Sequence, residues 1–202
     1  DAPNVNKMKP IEKGQNSVII ACDGSKLGLI DSDEIRTPIQ LKDMPKNIQD
    51  ATIAIEDERF YEHNGIDYTG GLRAMVKNLE EGEVTEGAST LTMQLMRNLY
   101  ILNPKRSFQR KIMEAQMALD YEEEHSKKSI LQSYLNTAPY GTNEGRTAIG
   151  VEAASKVYFS TKAAKLTLPQ AALLAGLPQA PTDYNPISNA GGAIERRNEV
   201  RS

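Results

Sequence analysis

Cysteine is nearly absent: Cys22 is the only one in the chain. A single thiol can close no internal disulfide and build no cysteine-rich zinc cage. Histidine is almost as scarce, with only His63 and His125 and no His-Glu-x-x-His string, which removes a two-histidine zinc helix. Apolar stretches such as Ala171 to Leu177 stop far short of the ~20 residues a helix needs to cross a bilayer. Positive charge is not in excess either. The formal net charge is -3, so the chain as a whole is not built to hold nucleic acid, and any anion site must be local. Gly-x-x-x-x-Gly-Lys and Gly-x-Gly-x-x-Gly turns are missing, which weakens a nucleotide fold, and so is Ser-x-x-Lys, the acyl-serine transpeptidase signature.

What remains has a globular composition. Of 202 residues, 39% are hydrophobic and 25% charged, enough for one domain with a real core. Ser17 to Cys22 and Leu27 to Ile30 alternate apolar and polar residues around Asp23-Gly24, the pattern of a short β-hairpin. Beyond it the period is helical. Ile48, Ala51 and Ile55 recur behind Pro45 and Asn47, and Leu72, Val76 and Leu79 behind Thr69. Between Ser107 and Glu123, Phe108, Ile112, Ala115 and Leu119 form one stripe, while Met113, Met117, Ala118 and Tyr121 cover other sides; the pattern predicts a helix buried on most of its circumference. Ser126 caps a helix carrying Ile130, Leu131, Tyr134 and Leu135, and Thr167-Leu168-Pro169 opens another. The stretches from Thr137 to Gly145 and from Pro178 to Gly192 read as loops. A single mostly α domain over residues 1–202, with a small N-terminal β element, is the expectation. Because the chain starts at Asp1 and stops at Ser202 inside a helix begun near Ile194, we expect it to be excised from a longer protein.

Charge is placed unevenly. From Gly87 to Met113 there is no acidic residue, while Arg97, Lys105, Arg106, Arg110 and Lys111 supply five cations. A solvated basic face would account for such a run. Here, however, Arg110 and Lys111 open the helix expected to be buried, and Leu91, Met93, Leu95, Met96, Leu99, Tyr100, Ile101 and Leu102 are interleaved with the cations. A ligand with an anionic head and an apolar tail, such as a phosphorylated lipid, satisfies both features. The acids divide into two groups. Glu56-Asp57-Glu58 close the helix that begins near Asn47, where negative charge opposes the helix dipole. Glu114 lies four residues after Arg110, on the same helix face, and desolvation there would make its ionisation depend on neighbouring cations. Two separated acids and a cation cluster suggest chemistry at a sugar or phosphate centre.

At these residues the chain resembles a known family. Glu56-Asp57-Glu58-Arg59-Phe60-Tyr61-Glu62-His63-Asn64-Gly65 is similar to the first motif of the peptidoglycan glycosyltransferases, and Gly87 to Gln94 to the second. Arg110-Lys111-Ile112-Met113-Glu114 resembles the third, Lys127 to Asn136 the fourth, and Gly150-Val151-Glu152-Ala153-Ala154 the fifth. Met93 stands where many members carry Gln, and Val151 where Ile is common. The resemblance implies a mostly helical fold with a larger lysozyme-like lobe and a smaller membrane-facing lobe. It also implies Glu56 as general base and Glu114 as the second essential acid. The substrates it implies are lipid II and a growing glycan strand, joined by β-1,4 bonds with inversion at the extracytoplasmic face of the bacterial membrane. A transpeptidase domain or other cell-wall synthesis proteins are the expected partners.

An acceptor hydroxyl is a poor nucleophile until a base takes its proton, a service worth roughly 10² to 10⁴ in rate. A pyrophosphate leaving group needs positive charge rather than a proton donor. Arg97, Arg106, Arg110 and Lys111 are the candidates to supply it, with a divalent cation, Mg2+ or Mn2+, as the one cofactor considered and no organic cofactor expected. Glu114 can orient those cations, bind that ion or contact the sugar. Ser89, Thr90 and Gln94 are candidate hydrogen-bonders to substrate, and Asp57, Phe60 and His63 complete the candidate binding set; a turn and cap network explains several of these residues equally well. Two further functions stay open at this point: a lysozyme-like lytic hydrolase using the same two acids, and a glycan- or lipid-binding module without catalysis.

Overall fold

The computed structural model describes residues 8–11, 17–29, 33–70, 89–101 and 107–201. In chain order the elements are β1 (Val18–Ile20), β2 (Lys26–Leu29), β3 (Glu34–Arg36), α1 (Lys46–Glu56), α2 (Leu91–Tyr100), α3 (Phe108–Glu124), α4 (Lys127–Thr137), β4 (Pro139–Asn143), β5 (Arg146–Ile149), α5 (Val151–Phe159), α6 (Leu168–Gly176) and α7 (Ala190–Arg201). The fold is mostly helical, as expected. It divides into two compact units, one drawn from Asp1–Glu12 and Glu56–Tyr134 and the other from Lys13–Ile55 and Leu135–Ser202.

The second unit holds all the strands. β1 and β2 pair antiparallel, Val18 opposite Leu29. The connection is made where Asp23-Gly24 predicts it: the Gly24 amide donates to the Ala21 carbonyl at 2.9 Å, the Ser25 amide to Asp23 Oδ1 at 2.8 Å, and Gly24 takes a φ of +82°. A second sheet has the order β3-β5-β4, with β5 parallel to β3 and antiparallel to β4. This corrects the reading of residues 137–145 as loop. Gly141 and Gly145 look like loop residues, but β4 pairs with the strand that follows it, Asn143 opposite Arg146, and that strand pairs in turn with β3, more than a hundred residues earlier in the chain. Around the sheet, Ala153 and Ala154 of α5 and Ala171, Ala172, Leu174 and Ala175 of α6 are buried. Small side chains of this kind let helices approach closely. Thr167 caps α6, its amide and hydroxyl both donating to Gln170 Oε1 at 3.0 Å.

The first unit is built on α2, α3 and the start of α4. Its core contains Leu91, Leu95 and Met96 from α2, Met117 and Ala118 from α3, and Ile130, Leu131 and Tyr134 from α4. The burial of α3 differs from expectation. Its buried face is Glu114, Met117, Ala118 and Tyr121, spaced i, i+3, i+4, i+7, while Phe108 is 76% and Ile112 54% exposed. Hydrophobicity alone selected the wrong stripe, because the face turned inward includes a carboxylate. The helix expected behind Thr69, with Leu72, Val76 and Leu79, lies outside the described residues.

One glycine fixes how the loop after Phe60 meets α3. Gly65 has φ +85°, and a Cβ there would stand 2.8 Å from the carbonyl carbon and oxygen of Ala118. The loop can therefore lie directly on the α3 backbone only without a side chain. We expect Gly65→Ala to cost about 2 to 4 kcal/mol, combining left-handed strain with a backbone clash. Urea denaturation would measure the loss, and a midpoint equal to that of the parent would refute the close approach.

Candidate active site

Glu56 is the last residue of α1, where the helix dipole gives a carboxylate no help, and an external donor compensates. Gln94 Nε2, from the second turn of α2, donates to Glu56 Oε2 at 2.8 Å. Gln94 is itself buried, and its Oε1 accepts from the Tyr134 hydroxyl at 3.1 Å. Tyr134 is the functional-site residue that sequence reading misses: it sits on the apolar stripe of α4 and reads as core. Only the polar atom at the end of its ring hints otherwise.

Asp57, next in the chain, is buried and fastens three segments. It accepts from His63 Nε2 at 2.9 and 3.1 Å and from the Leu91 amide at 2.9 Å. Because an ionised carboxylate only accepts, His63 Nε2 is the donor in these contacts. A negative group beside the first turn of α2 is favourable for the same reason that Glu56 is not at the end of α1. Thr90 completes the cap: its hydroxyl donates to the Gly65 carbonyl at 2.6 Å and accepts from the Met93 amide at 3.2 Å. Asp57, His63 and Thr90 therefore form the turn and cap network that the sequence allowed. Phe60 is fully buried, with Lys127 Nζ 4.4 Å from its ring centroid, so no face of the ring remains for a ligand. This corrects its place in the binding set. Lys127 also lies 2.6 Å from Glu122 Oε2, and Thr92 donates to the same carboxylate, which braces α2 against α3 and α4.

Glu114 is the most deeply withdrawn acid of the site, with no side-chain surface exposed. Arg110 Nε lies 2.9 Å from its Oε1. Burial raises the pKa of Glu114 above the ordinary carboxylate value, and the positive charges of Arg97, Arg110 and Lys111 oppose that rise without cancelling it. Arg97 is half-buried on α2, three residues after Gln94 and on the same helix face. One helix thus carries the hydrogen bond to Glu56 and, about 4.5 Å further along its axis, a cation that acts on Glu114. Lys111 is exposed, Ser89 is half-buried just before α2, and Arg106 lies outside the described residues.

One expectation changes here. Leu91, Met93, Leu95 and Met96 are buried core rather than a lipid-facing run; Leu99, Tyr100 and Ile101 stay half-buried, and Leu102 lies outside the described residues. Among the described residues no helix is long and apolar enough to cross a membrane. Nor does any group of three His, Cys, Asp or Glu side chains among them come together as a cation cage, and Glu114 is already surrounded by positive charge. The described residues thus build no cage of their own for a divalent ion, and an ion carried by the pyrophosphate itself would need none.

The raised pKa of Glu114 has a measurable consequence. The folded state binds this proton more tightly than the unfolded chain does, so ionised Glu114 weakens folding at neutral pH, and the penalty disappears as pH falls through the folded pKa. Measured by urea denaturation from pH 7 to pH 4, the stability of the parent relative to Glu114→Gln should rise toward acid. A constant difference would refute the burial of the charge.

Against known proteins, the chain matches the family model described as Transglycosylase over residues 23–202. It is 42% identical over 190 residues to penicillin-binding protein 2D of Bacillus subtilis, covering 94% of this chain and 27% of that protein. Penicillin-binding protein 1A of Escherichia coli is 39% identical over 200 residues, covering 99% of this chain and 23% of that protein. The crystal structure of penicillin-binding protein 1A from Haemophilus influenzae aligns with 95% of this chain and 18% of its own, at 25% identity and a TM-score of 0.47. The chain spans about a quarter of the length of the curated relatives it matches.

Proposed function

Because the chain belongs to the transglycosylase family, the peptidoglycan glycosyltransferases, we propose that it polymerises lipid II into β-1,4 glycan strands with inversion at the anomeric carbon. The reading is supported above all by α2, which holds Glu56 through Gln94 and sets Arg97 beside the buried Glu114. Glu56 takes the proton from the 4-hydroxyl of the acceptor GlcNAc as its oxygen attacks the donor's anomeric carbon. The bond to undecaprenyl pyrophosphate breaks on the opposite face, and the electron pair leaves with the diphosphate. A single displacement converts an α-linked donor into a β-linked product.

The leaving diphosphate is a stable anion and requires cations, not a proton. Arg97, Arg110 and Lys111 supply them, and Glu114 holds Arg110 in place by its ion pair. Substrate with an undecaprenyl tail confines the reaction to a membrane surface, and family membership supports the extracytoplasmic face, where a transpeptidase can cross-link the product. A lytic hydrolase is the second reading, favoured by one observation: a carboxyl whose pKa burial has raised is what a general acid needs.

Labelled lipid II separates the readings. Strand growth supports polymerisation, clipping of preformed glycan supports hydrolysis, and binding without turnover leaves a recognition module. Glu56→Gln should abolish strand growth with an unchanged circular dichroism spectrum, and normal turnover would refute the assigned base. Arg97→Met and Arg110→Met should each lower turnover about 10²-fold, the scale of losing one stabiliser of transition-state charge.

A further inference from the structure

The hydrogen-bonded chain from Tyr134 through Gln94 to Glu56 does more than satisfy buried atoms. A carboxamide is nearly symmetric in shape but not in chemistry: one end accepts and the other donates. Rotated by half a turn, Gln94 would set its carbonyl oxygen against the Glu56 carboxylate, acceptor against acceptor. In the observed orientation Oε1 faces the Tyr134 hydroxyl at 3.1 Å and Nε2 faces Glu56 at 2.8 Å, so each contact joins a donor to an acceptor. Tyr134 is fully buried and Gln94 nearly so, which leaves little access for water to replace the phenol. Donation into Oε1 also polarises the amide and strengthens its N–H as a donor to the carboxylate.

We propose that Tyr134 is a positioning residue for the glycosyl transfer: by donating to Gln94 Oε1 it locks the amide with its N–H on Glu56 Oε2 and so fixes the aim of the base. Without the phenol, Oε1 is left buried and unmatched, and Gln94 turns away from Glu56 to find another donor. The inference rests on the reading of Glu56 as general base. Tyr134 touches no reacting atom; its effect on Glu56 passes through Gln94.

The test is a double-mutant cycle in the intact protein, with kcat and KM measured on labelled lipid II. Tyr134→Phe keeps the ring and should lower kcat about tenfold with KM changed less than twofold. Gln94→Leu should lower kcat at least as much, and adding Tyr134→Phe to the Gln94→Leu background should cost nothing further, because the phenol has lost the group it acts through. Additive losses, or an unchanged kcat in Tyr134→Phe, would overturn the lock. Should Tyr134→Phe not fold by circular dichroism, fluorotyrosine at position 134 keeps the ring and alters the donor: a changed kcat that vanishes in the Gln94→Leu background supports the proposal, and an unchanged kcat overturns it. Glu56→Gln, assayed in parallel, keeps the two readings apart. If it is inactive while Tyr134→Phe has parental kcat, the lock alone fails; if it is active, the base assignment fails and the lock with it.

Discussion

A carboxylate sealed from water is costly unless its charge is answered, and Glu114 is sealed completely. Its partners come from two helices. Arg110 and Lys111 lie early on α3, on Glu114's own helix, but Arg97 lies on α2, so the charge of one buried acid is answered from both helices. α2 also carries Gln94, and with it the hydrogen bond to Glu56. One helix therefore links the half-buried Glu56 to the charges around the buried Glu114.

The opposite end of α2 is held just as firmly, by polar rather than ionic means. Asp57 and Thr90 take up its first amides, His63 secures Asp57, and Gly65 brings the loop onto the backbone of α3. Asp57 is next to Glu56 in the chain, and Thr90 lies four residues before Gln94. A base must be held to within a fraction of an ångström to act, and a helix start tied to three segments provides that restraint better than a free loop. Lys127, Glu122 and Thr92 add a second brace on the far side of the same helix.

On the proposed reading, this arrangement divides the labour of glycosyl transfer by charge. One acid, aimed by the Gln94 amide, is placed to accept a proton. The other spends its charge on guanidinium and ammonium groups and so keeps them assembled where a diphosphate departs. A hydrolase expelling a neutral sugar would gain nothing from the second half of that design, since its leaving oxygen needs a proton.

Much of this was legible in the order of residues. Asp23-Gly24 specified its hairpin, Ser107 marked the start of its helix, and the two acids and the cations between them stood out by position and charge alone. Those features are local: a cap, a turn or a charge run is set by neighbours a few residues away. The strand pairing of β3 with β5, the inward face of α3, the burial of Phe60 and the Tyr134 contact were not legible, because each joins residues far apart in the chain. The withdrawal of Glu114 was legible from its neighbours, but the amphipathic pattern did not foresee that Phe108 would face water, since that depends on what the helix packs against. Sequence determined which chemical groups were available and where the chain would turn; only tertiary packing decided which of them would lose water, and with it how strongly their charges act.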